Sequence, residues 1–261
     1  MVGLNAFIWD AQYSIIPYLL DILRLHLPQC KLYAFHPPSQ DSARTLPRLR
    51  GFPGLFSLDV ALVAGQYAAC HEIGELLNST PLTDLAIDTS DHFFNRTEPM
   101  LAPLRLRSLE MYSLQHSWCP NISWSMLERL SMDNIFWLPR IASQLTNLKS
   151  LHLDIGKHYE YDFLISFLRT CGRLEVLDLT GYTQHVEIEE SLWRHLGKTL
   201  VKLRFREKRI FVDRRQTPND AMKGLLTIAR ECPKLRSLGL EIEDNRAWAR
   251  ILCVLRSRTA S

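Results

Sequence analysis

Three kinds of residue in this chain have the chemistry to do work: paired acids, scattered histidines and one basic window. Imidazoles and thiols could ligate a metal. The nine histidines form no ligand set, however. His152 and His158 lie six apart with no cysteine near them, and zinc sites need tighter pairings. His195 follows Trp193 on a helical stretch and reads as surface or core. The six cysteines (30, 70, 119, 171, 232 and 253) include no Cys-x-x-Cys pair; reduced, mostly buried thiols are expected. Nucleophile elbows, phosphate loops and dinucleotide fingerprints are missing, so no cofactor is expected. The acids Glu187, Glu189 and Glu190 fit the first turn of a helix, where negative charge is favoured. The basic window, 202–215, has seven Lys or Arg against Glu207 and Asp213, with Phe205 and Phe211 between. Cations with aromatics suit phosphates and bases. Phe205 is nevertheless claimed by the core pattern below, so a solvated strand edge and loop is expected and nucleic acid is disfavoured. What remains is charge recognition, by acids such as Asp133, Asp154 and Asp178.

These acids sit inside a repeating frame. Around His152 the chain reads Leu148-Lys-Ser-Leu151-His-Leu153-Asp154. A gap of three followed by a gap of two suits neither a helix nor a strand alone. The same spacing of large apolar residues starts at 55, 82, 106, 127, 148, 174, 200 and 235, with steps of 27, 24, 21, 21, 26, 26 and 35. Most steps match the unit length of leucine-rich repeats, whose signature opens L-x-x-L-x-L. The last two leucines of each triplet belong to a short strand and share one face; the first turns inward from the bend before it. No unit can bury its apolar edge alone, so neighbours must stack.

The connecting segments supply the other layer. Phe163, Leu164, Phe167, Leu168 and Cys171 recur at helical spacing and predict a shared buried face. Gly172, Gly197 and Pro233 sit where helices should stop. The 21-residue units have room only for a short helical turn, near 141–145. Before the repeats, 11–27 reads as an amphipathic helix and 28–35 as a strand, with either Leu32 and Ala34 or Tyr33 and Phe35 facing in. Residues 37–53, rich in Pro, Ser and Arg, read as a loop, as do 209–220. Residues 246–256 read as a final helix. The expected fold is a somewhat irregular α/β leucine-rich-repeat solenoid: a curved parallel sheet on the concave side and helices on the convex side. It forms a single domain over 1–261, with about eight repeats over 55–245, a helix–strand cap at 11–36 and a helical cap at 246–256.

Two units carry more. Cys171-Gly-Arg-Leu-Glu-Val-Leu-Asp-Leu179 and Cys232-Pro-Lys-Leu-Arg-Ser-Leu-Gly-Leu240 both read C-x-x-L-x-x-L-x-L after an amphipathic helix. This resembles the cysteine-containing repeats of F-box proteins, and Leu-Arg-Leu-His-Leu-Pro-Gln-Cys30-Lys-Leu-Tyr-Ala-Phe35 looks like the helix-to-strand lead-in of fungal F-box/leucine-rich-repeat proteins. The resemblance spans roughly 17–255. The Asn or Cys usual three residues after L-x-L is replaced by Val63, Ser90, Leu114, Ile135, Gly156, Tyr182, Lys208 and Glu243. No F-box is recognisable. The resemblance implies a substrate-recognition half, linked to ubiquitin ligase components through another subunit or a missing exon.

The frame also predicts which residues face a partner. Positions flanking the inward pair should line the concave surface, and eight of them are acidic: 59, 84, 88, 110, 133, 154, 178 and 241. The residues chosen as partner-binding are Asp84, Asp88, Glu110, Tyr112, Arg129, Asp133, His152, Asp154, Asp178, Lys202, Arg204 and Arg206. Four are basic, and three of those lie in one unit, so an acidic face with one basic band is expected. That pattern suits a protein partner with basic segments. Hydrophobic content of 46% and a net charge of +3 fit an ordinary folded protein. No uncharged run reaches the roughly 18 residues of a membrane span, and Asp10 interrupts the apolar start before a signal core develops. An intracellular protein is expected, and the three Asn-x-Ser/Thr sequons then carry no meaning. The expected function is a non-enzymatic interaction scaffold. The alternatives are a truncated gene product without independent function and an enzyme with an unrecognised site.

Overall fold

The structure, a computed structural model, describes residues 4–10, 16–36, 42–62, 67–89, 103–112, 122–133, 135, 138–155, 161–181, 190–206 and 218–241. Contacts divide the chain into two compact units, 1–132 and 133–261. Each is α/β.

Unit 1 holds six parallel strands lying side by side in chain order: β1 (Ala6–Asp10), β2 (Lys31–His36), β3 (Leu55–Leu62), β4 (Asp84–Thr89), β5 (Ser108–Tyr112) and β6 (Arg129–Met132). Parallel neighbours need a crossover, usually helical. Here α1 (Pro17–His26), α2 (Ser42–Leu49) and α3 (Tyr67–Ser79) supply it, and a 3-10 turn, Trp124–Met126, precedes β6. Unit 2 repeats the arrangement with β7 (Ser150–Ile155), β8 (Val176–Gly181), β9 (Lys202–Arg206) and β10 (Ser237–Glu241). Its helices are α4 (Leu138–Ile141), followed by the 3-10 turn Ala142–Gln144, then α5 (Tyr161–Thr170), α6 (Glu190–Leu196) and α7 (Pro218–Glu231).

The mixed leucine spacing has a backbone cause. Between the first and second leucine the chain bends, and the bend of one unit bonds to the bend of the next. The carbonyl of Lys149 accepts N–H bonds from Glu175 and Val176, that of Glu175 from Val201 and Lys202, and that of Val201 from Arg236 and Ser237. In unit 1 the Thr83 carbonyl accepts from Arg107 and Ser108, and the Arg107 carbonyl from Glu128 and Arg129. Bends therefore stack as strictly as strands, and their backbone groups bond to one another. The strand leucines then fall into register: Leu58 with Leu85, Leu109 and Leu130 in unit 1, and Leu151 with Leu177 and Leu203 in unit 2.

Seven of the eight triplets have all three side chains buried. The eighth does not: Leu235 and Leu240 are half-buried and Leu238 is 44% exposed. Among the described residues β10 has a strand on one side alone, so its leucines are covered from one side. Behind the strands, α5 buries Leu164, Phe167 and Leu168 and ends before Cys171 and Gly172 as expected. Phe163 departs from that reading; it is exposed, one position off the buried stripe.

Two corrections concern the start of the chain. The stretch 37–53, expected as a loop, contains α2, whose Leu46 and Leu49 are buried three apart with Phe52 just beyond. Burial of that short stripe outweighs Pro47 and the polar composition. A further strand, β1, precedes the expected helix–strand cap, and on β2 it is Leu32 and Ala34 that face in. The helical cap expected at 246–256 lies outside the described residues, as do most of the positions expected to replace the Asn or Cys. Ile135, which is described, is buried. No helix among the described residues is long and apolar enough to cross a membrane.

Candidate functional site

Strand alternation puts every second residue of β3 to β9 in the core and leaves its neighbours half-buried or exposed on the other, open face. The chosen residues on strands with described side chains occupy that face. In unit 1 the open rungs run Ser57, Asp84, Ser108, Arg129; then Asp59, Ala86, Glu110, Ser131; then Ala61, Asp88, Tyr112.

Asp84 is already matched: Arg129 reaches across the small Ser108 to it, at 3.2 Å. Tyr112 donates its hydroxyl to Glu110 at 2.8 Å. The remaining acids gather around Ala86, whose methyl leaves space between Asp59 and Glu110. The Asp59 carboxyl is pushed up from its ordinary value, first by burial and then by the charges of Glu110 and Asp88. The folded state thus holds the Asp59 proton more tightly than the unfolded chain does. Stability falls as pH climbs through the raised value, because the folded protein must then ionise a carboxylate beside two others. A cation placed there would reverse the penalty.

Towards the start of unit 1 the open face turns aromatic. Tyr33 packs on Phe56 with ring centres 5.3 Å apart, and the Lys31 ammonium lies 4.4 Å from the Phe56 ring centre. Phe56 occupies a register shift between β2 and β3. Ile8 is exposed on β1 opposite Tyr33, and Phe35 lies beside Asp59. Sequence reading does not select Ile8, Tyr33 and Phe35, because β1 and β2 lack the leucine triplet, and it misses Phe56 because the register shift takes that residue out of simple alternation. The alternation of Phe7 with Trp9 and of Leu32 with Ala34 was the available signal.

In unit 2 one carboxylate organises the face. Asp178 Oδ2 lies 3.4 Å from His152 Nδ1, accepts from Arg206 Nη2 at 3.2 Å, and lies 3.7 Å from Arg204 Nη1. Its side chain is 15% exposed, and Oδ1 finds no hydrogen-bond partner among the described residues. His152, Asp178, Arg204 and Gly239 form a single rung. Asp154 and Lys202 share the face, with Asp154 on the same rung as Thr180 and Arg206, and Asp133 follows β6 just past its end. The side chain of Glu241 is outside the description. Beyond Lys202, Arg204 and Arg206, the basic window at 207–215 lies outside the described residues.

The cysteines are structural where described. Cys171 and Cys232 end helices and point their thiols at the carbonyls of Phe167 and Trp193. Burial pushes the Cys171 thiol up to about 12 and that of Cys232 to about 11, far from a reactive thiolate. Among the described residues no group of three or more His, Cys, Asp or Glu is placed to hold a metal ion.

No known family model matches the chain, and a search of curated proteins finds no match either.

Proposed function

We propose that this protein is a non-enzymatic binding module of leucine-rich-repeat type, and that the open face of unit 1 receives a basic segment of a protein partner. The observation that carries this reading is the gathering of Asp59, Asp88 and Glu110 around Ala86, with a raised Asp59 carboxyl. Carboxylates held close at a cost to folding become favourable once a Lys or Arg sits among them. The in-register ladder and the mixed leucine spacing support the repeat class. The Cys171 and Cys232 motifs support the likeness to F-box proteins, and with it a role in selecting substrates for a ubiquitin ligase. Concave sheet faces of solenoids commonly carry binding.

Affinity capture tests the reading. Wild type is compared with Asp59→Lys, Asp88→Lys and Glu110→Lys combined, and with Glu75→Lys on α3, where the side chain is exposed but away from the sheet face. The expected result is a partner retained by wild type and Glu75→Lys and lost by the triple variant. Retention by all three proteins removes the acidic face from the account. Failure to co-purify with the ligase adaptor removes the ubiquitin role and leaves the binding module.

A further inference from the structure

The basic band of unit 2 has a geometry of its own. Lys202 and Arg204 alternate on the open face of β9, both half-buried. Two residues apart on a strand, their stems rise about 6.6 Å from one another. Across β10 from them stand the exposed Ser237 and then Gly239, so little side chain rises on that flank. Gly239 is shaped to Arg204: a Cβ there would meet Arg204 Cγ at 3.1 Å and Nε at 3.3 Å. The Arg204 stem therefore lies against bare backbone. On the other side Asp178 holds the Arg204 guanidinium at 3.7 Å, near enough to orient it and beyond hydrogen-bond length. Asp178 spends its hydrogen bond on Arg206 instead, at 3.2 Å. Arg204 is thus aimed, while its planar donors are left for another acceptor. Lys202 has Val176 and Ser237 as rung neighbours, neither of them charged.

We propose that Lys202 and Arg204 form a docking site for an acidic peptide segment of a protein partner, taking two carboxylates of an extended Glu-x-Glu or Asp-x-Asp run. Alternate side chains of an extended peptide repeat at the same interval of about 6.6 Å as the two cations. The site takes discrete anions. Asp178 lies on the adjacent strand and Asp154 on the strand beyond it, and a continuous phosphodiester chain crossing the face would meet their charge. The inference rests on the reading of the protein as a binding module, but on the opposite charge and on the other unit.

The test is fluorescence anisotropy on the full chain with three labelled probes: a peptide of alternating Glu and Gly, one of alternating Lys and Gly, and a single-stranded oligodeoxynucleotide. Wild type should bind the Glu peptide, and added salt should weaken it. Lys202→Gln with Arg204→Gln should reduce that affinity about tenfold or more, while binding of the Lys peptide stays unchanged. Gly239→Val keeps every charge but displaces the Arg204 stem, and should weaken the Glu peptide alone. Equal melting temperatures for wild type and the Gln variant show that the loss is not one of folding. Three results overturn the proposal: no binding of the Glu peptide by wild type, undiminished binding by the Gln variant, or tighter binding of the oligonucleotide than of the peptide. If the Glu peptide fails and the Lys peptide binds, this site falls and the acidic face stands. If both fail, the binding-module reading falls as well.

Discussion

Leu151 and His152 are neighbours in the chain and face opposite ways. Leu151 is fully buried on the first strand of the unit 2 ladder, with Leu177 beside it. His152 stands on the open face near Asp178. Leu151→Ala should therefore lower stability by about 2–5 kcal/mol, the transfer loss plus the cavity left behind. His152→Ala should change it by less than about 1 kcal/mol, since it removes a partly exposed contact. Chemical denaturation of the two variants checks both values; a large loss at His152 would mean that the strand faces are assigned the wrong way round. The single residues of the face were legible by alternation, as Asp84, Glu110, Asp178 and Arg204 show. Their partners were not. Asp84 meets Arg129 from two strands away, and Asp178 on β8 collects His152 from β7 and Arg204 and Arg206 from β9. Only stacking in register brings residues so far apart in the chain together.

At the scale of elements, the spacing of three then two foretold the β3 to β9 strands and the bends before them. It stated a backbone requirement, a bend bonded to the next bend, as well as an apolar one. Elements without that requirement were harder to read. α2 is held by Leu46 and Leu49 within a polar, proline-containing segment, so composition hid it. β1 carries no triplet. Packing between helices makes a further demand. A Cβ on Gly197, just past α6, would lie 2.0 Å from the Glu231 carbonyl oxygen and 2.8 Å from the Cys232 Cα at the end of α7. Both obstacles are backbone. Gly197→Ala should cost about 1–3 kcal/mol, as overpacking does. Gly172, at the end of α5, meets nothing within 4 Å, and Gly172→Ala should stay within about 0.5 kcal/mol. Thermal melts of the pair separate a close helix–helix approach from a general need for glycine after helices.

For the whole molecule, the sequence predicts one acidic face with a basic band, and the two units carry these charges in different ways. In unit 1 the acids around Ala86 lack a described cation among them, since Arg129 is committed to Asp84. In unit 2 the cations outnumber the acids around Asp178. On the proposed reading, the acids of unit 1 receive a basic segment of the partner. The most direct measurement is the affinity of a lysine-rich peptide for wild type and for Asp59→Asn, Asp88→Asn and Glu110→Gln combined, across a range of salt. Wild type should bind in a way that weakens with salt, and the neutral variant should bind at least about tenfold more weakly and without salt dependence. Equal affinity and equal salt dependence in the two proteins would contradict that reading.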